Sequence, residues 1–255
     1  GTDRRSAGDI AYEIDAIGGQ LNAFTTREYT CYYTKTLDEH AEIAIDILSD
    51  MLFSSKLDPD AMKLEKNVVI EEINMYEDEP DELVSDLIME AVYGNTPLGR
   101  TILGTPESLS GITPENMRSY LNNHYTSKNT VIAISGHYDD SLFDLLEKYF
   151  ANPKMSDKKP KIEICEYKSG NSIVRRKDCE QIQLVASFKR IDVKDEGVYS
   201  LLAFNNVFGS GMSSRLFQNI REQRGLAYSV YAYHAAFIGT GMFNICAGMI
   251  PENLK

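Results

Sequence analysis

The sequence predicts an α+β fold with helices laid against sheet, and three observations carry that expectation. Helical periodicity alternates along the chain with short runs that read as half-buried strands. The order helix, glycine, strand, strand occurs twice, around Gly18-Gly19 and around Gly225, a faint internal repeat at the level of element order. Between the two lies ANPKMSDKKPKIE (151–163), polar and rich in Pro and Lys, with little to bury. The expected organisation is a first half over 1–150, a linker over 151–170 and the start of a second half over 171–255.

In order, SAGDIAYEIDAI (6–17) places Ile10, Ile14 and Ile17 at helical spacing and stops at Gly18-Gly19. LNAFTTREYTCYYTKTL alternates and is rich in Thr, Tyr and Phe, which predicts two strands. An amphipathic helix follows over 38–53, and Asp58-Pro59 opens the next. EDEPDE (77–82) interrupts that helix, ELVSDLIMEAVY resumes helical spacing, and Thr113-Pro114 opens a helix to about Asn123. NTVIAISG (129–136) reads as a buried strand and DDSLFDLLEKYF as an amphipathic helix. Beyond the linker, QIQLVASFKR alternates as a strand, while YSLLAFNNVFG and MSSRLFQNIREQRG are helical. LAYSVYAYHAAF and GTGMFNICAGM are two strands joined by Gly239-Thr240-Gly241. The helices are expected on one face of the sheet.

Composition narrows the function classes. With 255 residues, 43% hydrophobic and 25% charged, the chain has ample material for a core. A net charge of −12 argues against a general nucleic-acid or anionic-membrane binder and permits basic substrates. Cys31, Cys165, Cys179 and Cys246 lie far apart without C-x-x-C spacing and read as free, buried thiols of a reducing compartment. No run approaches the ~18 apolar residues a membrane-spanning helix needs. The chain starts at Gly1 with no visible signal peptide, as expected if it was processed or begins within a longer protein.

The stretch LEKNVVIEEI (64–73) carries three glutamates among Leu64, Val68, Val69, Ile70 and Ile73. On a helix at about 100° per residue, Glu72 falls roughly 20° from Glu65. Ala61, Met62, Val68, Val69, Ile73, Met75 and Tyr76 share that face, whereas Glu71 lies with Lys63, Lys66, Asn67, Asn74 and Glu77. Two like carboxylates on an apolar face need protons, hydrogen bonds, basic partners or a cation. Spacing leaves both accounts open: pairing with Arg or Lys (or a wet groove), or a functional acid or metal site. His40, His124, His137 and His234 show no i, i+4 or H-x-x-H spacing, so the chain offers only one candidate for the three ligands of a hydrolytic zinc.

Several motifs together resemble the pitrilysin/insulinase-type zinc peptidases. They are GTDRRSAGDI…GGQLNAFTTREYTCYY and the E-x6-E of LEKNVVIEE. PLGRTILGTPESL and GMSSRLFQNIREQRGLAYSVY are closest to the mitochondrial processing peptidase-like branch, including its bacterial members. The resemblance implies two related helix-on-sheet halves of clamshell type, both incomplete here. The inverted zinc motif H-x-x-E-H supplies two histidine ligands and the general base of the family. In relatives it sits a few residues before the G-T that here is Gly1-Thr2, so Zn²⁺ would find its other ligands upstream of Gly1. The C-terminal part of the second half is also expected beyond residue 255.

Carried over by position, Glu72 matches the third zinc ligand and Glu65 the carboxylate behind it. Arg221 and Tyr228 match a pair that binds the scissile peptide and stabilises the oxyanion. Asn22, Ala23 and Phe24 resemble the edge strand on which extended substrate adds, and Glu82 and Asp86 match the acids that hold an arginine before the cleavage site. Gly209 and Gly211 sit where relatives carry a glycine-rich, hinge-like loop. The bland accounts are a helix-end Arg with a packed Tyr, an ordinary edge strand and a solvated acidic helix start.

The expected function is therefore zinc-dependent endoproteolysis of extended or presequence-like peptides. The alternative is a non-catalytic chamber or scaffold homologue. A plain helix–sheet binding module is favoured only if Glu65 and Glu72 are solvent-exposed. Expected partners are a peptide substrate and a second copy or a related subunit, and no nucleic acid. The resemblance points to the cytoplasm of a bacterium, or to the mitochondrial matrix if the chain is eukaryotic.

Overall fold

The computed structural model describes residues 1–151, 155–159, 161–176, 179–190 and 192–254. The chain divides into two compact units: Gly1–Val69 with Thr105–Lys161, and Ile70–Gly104 with Ile162–Lys255. Parts of the expected linker, residues 152–154 and 160, lie outside the described residues.

In the first unit, α1 (Ala7–Ala16) begins at a capping box in which Ser6 and Asp9 satisfy each other's backbone N–H groups. Its Ile10 and Ile14 bury against Ile47 of α2 (Ala41–Phe53), with Leu21 and Met51 packed beside them. Gly18, at φ +62°, turns the chain into an antiparallel hairpin of β1 (Gln20–Thr25) and β2 (Thr30–Lys35). A 3₁₀ turn at Asp38–His40 precedes α2 where one continuous helix is expected. Leu57 adopts a left-handed φ of 52° just before α3 (Pro59–Asp78), the helix within which the unit boundary falls. Pro106 and Pro114 open α5 (Pro106–Ser110) and α6 (Pro114–His124), each behind a threonine cap.

In the second unit, α4 (Pro80–Tyr93) starts at the proline that breaks the acidic stretch, and Tyr76 spans the break by donating its hydroxyl to the Glu82 carbonyl at 3.0 Å. After α7 (Ser141–Phe150), which belongs to the first unit, come β3 (Ile182–Arg190) and α8 (Gly197–Phe208). β4 (Ser229–Phe237) and β5 (Thr240–Met249) follow, and the sheet is antiparallel in the order β3-β5-β4. The β4–β5 turn is tighter than expected, because Thr240 and Gly241 already pair within the ladder. Among the described residues no helix is long and apolar enough to cross a membrane.

Three expectations need correction. The sheet of the second unit is covered on both faces. Met242 packs with Met89, Val92 and Tyr93 of α4, whereas Phe243 packs with Leu201 of α8 and Ala232. The burial of β5 on both faces, with only Ile245 and Met249 partly exposed, is what a strand with two covered faces requires. The segment around Val131–Ser135 forms no strand and is exposed, with Val131 at 90%. Its backbone has no hydrogen-bonded partner among the described residues, and a β run without a partner strand has no ladder to join. All four cysteines are free as expected, but only Cys165 and Cys246 are buried; Cys31 and Cys179 are half-buried.

Gly209 has a packing role. Its N–H donates to the Asn205 carbonyl, its own carbonyl accepts from Ala232, and a Cβ there would lie 2.5 Å from the Ala232 Cβ. The Gly209→Ala variant is expected to lose roughly 1–3 kcal/mol of stability, the usual cost of overpacking. Equal thermal unfolding of variant and parent would refute the close-approach account.

Candidate functional site

α3 presents Glu65 and Glu72 to solvent, seven residues or about 10 Å apart along the axis, with neither carboxylate partnered among the described residues. The face they share is largely open. Ile73 is buried at 4%, but Val68 is 51% and Met75 70% exposed. Among the described residues, the basic partners that one account of these acids required are not there. Exposure is also what the binding-module account asked for, so geometry alone does not choose between a reactive acid and a plain surface.

On α4, Glu82 is exposed and Asp86 half-buried, one helical turn apart. Beneath the helix, a cavity of about 160 Å³ is lined by Asp81, Val84, Val185, Tyr231 and Cys246. Burial pushes the Tyr231 phenol up to about 12, with its hydrogen-bonded neighbour Cys246 adding to the shift. Deeper on the same sheet face, Asn244 is 1% exposed, and neither its side-chain amide nor the Ser187 hydroxyl in register opposite has a hydrogen-bond partner among the described residues.

The structure brings Arg221 and Tyr228 together. A π-helix over Phe217–Glu222 ends at Gly225 (φ +61°), and the Arg221 guanidinium lies 4.7 Å from the Phe217 ring centre and 5.2 Å from that of Tyr228. Tyr228 is 73% exposed, so it is not the packed core tyrosine of the bland account. Sequence periodicity indicated helix here but not its wider turn, a form that recurs at functional sites. It also missed Phe217 as the second ring against Arg221.

In the first unit, β1 pairs only with β2, which leaves its other edge open among the described residues. Asn22 and Ala23 are exposed, and Phe24 is 45% exposed with its ring 5.8 Å from Tyr29 and 6.2 Å from Tyr33. A groove of about 610 Å³ lies elsewhere, lined by Lys56, Pro114, Glu115, Arg118 and Asn122. It holds none of these residues, and Arg118 there is occupied with the Ser55 carbonyl at 2.6 Å.

A tetrahedral hydrolytic zinc takes three protein ligands and a water. No group of three or more His, Cys, Asp or Glu among the described residues could hold a metal ion. Glu72, exposed and unpaired, is suited to serve as one ligand of such a set.

Comparison with known proteins fits these features. The description "Insulinase (Peptidase family M16)" matches residues 1–106, and "Peptidase M16 inactive domain" matches residues 111–255. The chain is 47% identical over its whole length to the uncharacterized zinc protease YmxG of Bacillus subtilis, covering 62% of that protein. A protease from Helicobacter pylori superposes with a TM-score of 0.92 at 20% identity, over 98% of this chain and 62% of that one. A chain of complex III from Candida albicans superposes at 0.77 and 19% identity, over 95% and 62%. The chain thus spans about three-fifths of the length of these relatives. Fold, strand edge and acidic helix all lie within the matched stretches, and the chain belongs to the insulinase family of peptidases, M16.

Proposed function

We propose that this chain is the larger part of a zinc-dependent endopeptidase acting on extended peptides, with basic residues favoured near the cut. The observation that carries the proposal is Glu72, an exposed and unpaired carboxylate on the same helix as Glu65, within the stretch matching the insulinase model. The open edge of β1 would take the peptide backbone as an added strand, a mode that tolerates varied side chains, with Asn22, Ala23 and Phe24 lining it. Arg221 and Tyr228 would donate to the oxygen on which charge develops. Glu72 would hold the metal, and Glu65 would fix the surroundings of that ligand. Zinc, when bound, supplies Lewis-acid activation of water and of the peptide carbonyl. On this reading the remaining ligands and the general base would come from residues before Gly1.

A solvated bacterial enzyme of the cytoplasm, paired with a second copy or a related subunit, is the setting this proposal takes. The relatives that support it include the uncharacterized zinc protease YmxG of Bacillus subtilis and a chain of complex III. The non-catalytic chamber remains the second reading, favoured by the inactive-domain match over 111–255. An intact H-x-x-E-H ahead of Gly1, with zinc in the purified full-length protein and cleavage of unfolded peptides, decides for the enzyme. A degraded motif and no zinc decide for the scaffold.

Glu82 and Asp86 give a separate test of substrate preference. Replacing both with Ala is expected to lower kcat/KM for peptides with arginine near the cut by on the order of 10-fold or more, the worth of a charged hydrogen bond. Peptides without that arginine should be cleaved as before. Unchanged selectivity would return both acids to solvated surface.

A further inference from the structure

Arg221 stands on a turn whose backbone is fixed from both sides. Leu216 and Ile220 point inward and pack against Ala227, Val230 and Ala247. The buried Ser214 hydroxyl accepts the Phe217 N–H at 3.3 Å, and the Gln223 N–H reaches back five residues to the Gln218 carbonyl at 3.0 Å. The Gly225 N–H donates to the Arg221 carbonyl at 3.0 Å, and the Tyr228 N–H donates to the Gly248 carbonyl of β5 at 3.0 Å. Phe217 and Arg221, four residues apart, therefore share the outer row of the turn, and Tyr228 is brought back beside them.

The guanidinium itself has few contacts. Among the described residues the Arg221 side chain makes no hydrogen bond, and its one ion pair, from Nε to Glu222 Oε1, is 3.8 Å long with both side chains open to water. Such a pair holds little. The rings fit better. Both the 4.7 Å to the Phe217 ring centre and the 5.2 Å to that of Tyr228 lie inside the about 6 Å reach of cation–π attraction. Tyr228 is largely exposed, so its own ring is free on the outer side. Phe217 is half-buried on the anchored turn, which makes it the fixed partner of the two.

We propose that Phe217 is a positioning residue for Arg221. Its ring holds the guanidinium beside the Tyr228 phenol, so that the two donors stand together before any ligand arrives. The proposal rests on the function given above, in which Arg221 and Tyr228 donate to the oxygen where charge develops. A free arginine would surrender its rotamer freedom at each encounter, whereas a stacked one has already lost it. Stabilisation of a developing charge depends on donors that need no rearrangement at the moment of reaction.

The test follows the Arg221 Nε–Hε signal of the full-length protein by NMR, assigned with Arg221→Lys, beside cleavage of an unfolded peptide. In the parent, Hε should lie upfield of free arginine, shielded by the facing ring. Phe217→Leu keeps an apolar side chain and should return the signal toward the free value. It should also lower kcat about two- to fivefold, the worth of one exposed cation–π contact, with KM little changed. Phe217→Tyr should restore both, and Glu222→Gln should change neither. An unshielded Hε in the parent overturns the stack, as does a signal that moves with Glu222→Gln but not with Phe217→Leu. A kcat that holds in Phe217→Leu while Hε moves overturns the positioning role. Should Phe217→Leu fail to fold, the parent signal and Glu222→Gln still decide what holds Arg221. A parent protein that cleaves nothing removes the peptidase function, and Hε alone then decides whether Phe217 holds the guanidinium.

Discussion

Replacing Glu72 with Gln in the full-length protein is expected to abolish bound zinc and peptide cleavage together. Glutamine keeps the size of the side chain but loses the charge that a carboxylate ligand brings to the cation. The loss should exceed the about 10–100-fold typical of a group that only orients a ligand. That smaller range is the expectation for Glu65→Gln, and the contrast between the two substitutions separates ligand from support. Neither should disturb folding, because both side chains are exposed and unpartnered among the described residues. Exposed substitutions of that kind usually fall within about 0.5 kcal/mol. Metal analysis beside a cleavage assay checks the prediction, and full zinc occupancy in Glu72→Gln would sink the assignment.

Arg221→Ala is expected to lower kcat by about 10²–10³, the range for loss of one donor to a developing oxyanion, with KM much less affected. The same change removes the cation stacked against Phe217 and Tyr228, so some loss of local order is also expected. Tyr228→Phe separates the two effects. It keeps the ring beside Arg221 and deletes only the hydroxyl of a residue that is 73% exposed. A fall in kcat with an unchanged melting temperature assigns the hydroxyl to the reaction. If kcat is unchanged in both variants, the pair is packing and nothing more.

Much of the architecture was legible wherever local chemistry decides it. Asp58-Pro59, Thr113-Pro114 and the proline of EDEPDE all mark helix starts that the structure keeps, because proline suits the first turn of a helix and not its interior. The alternation in 21–37 and 229–249 reads directly as hairpins. Periodicity shows which side chains share a face but not what covers it. Glu65 and Glu72 do share a helix with Ile73, yet that face is open, and only family motifs connected it to zinc. The two-sided cover of β5 follows from apolar residues on both of its faces, Met242 on one and Phe243 and Ile245 on the other, which period-two reading alone does not separate from a one-sided strand. The π-turn at Phe217–Glu222 and the Arg5–Asp50 network depend on hydrogen bonds distant in sequence or outside helical periodicity, which no local window reports.

The bare segment Val131–Ser135 has a practical consequence. It is apolar, free of charge and of proline, rich in β-branched residues, and its backbone bonds are unmet among the described residues. Such a stretch recruits any strand that comes within reach, including its own counterpart on a neighbouring molecule. At high concentration the chain is expected to associate through that segment, and light scattering beside a Val131→Lys variant, which should stay dispersed, checks this.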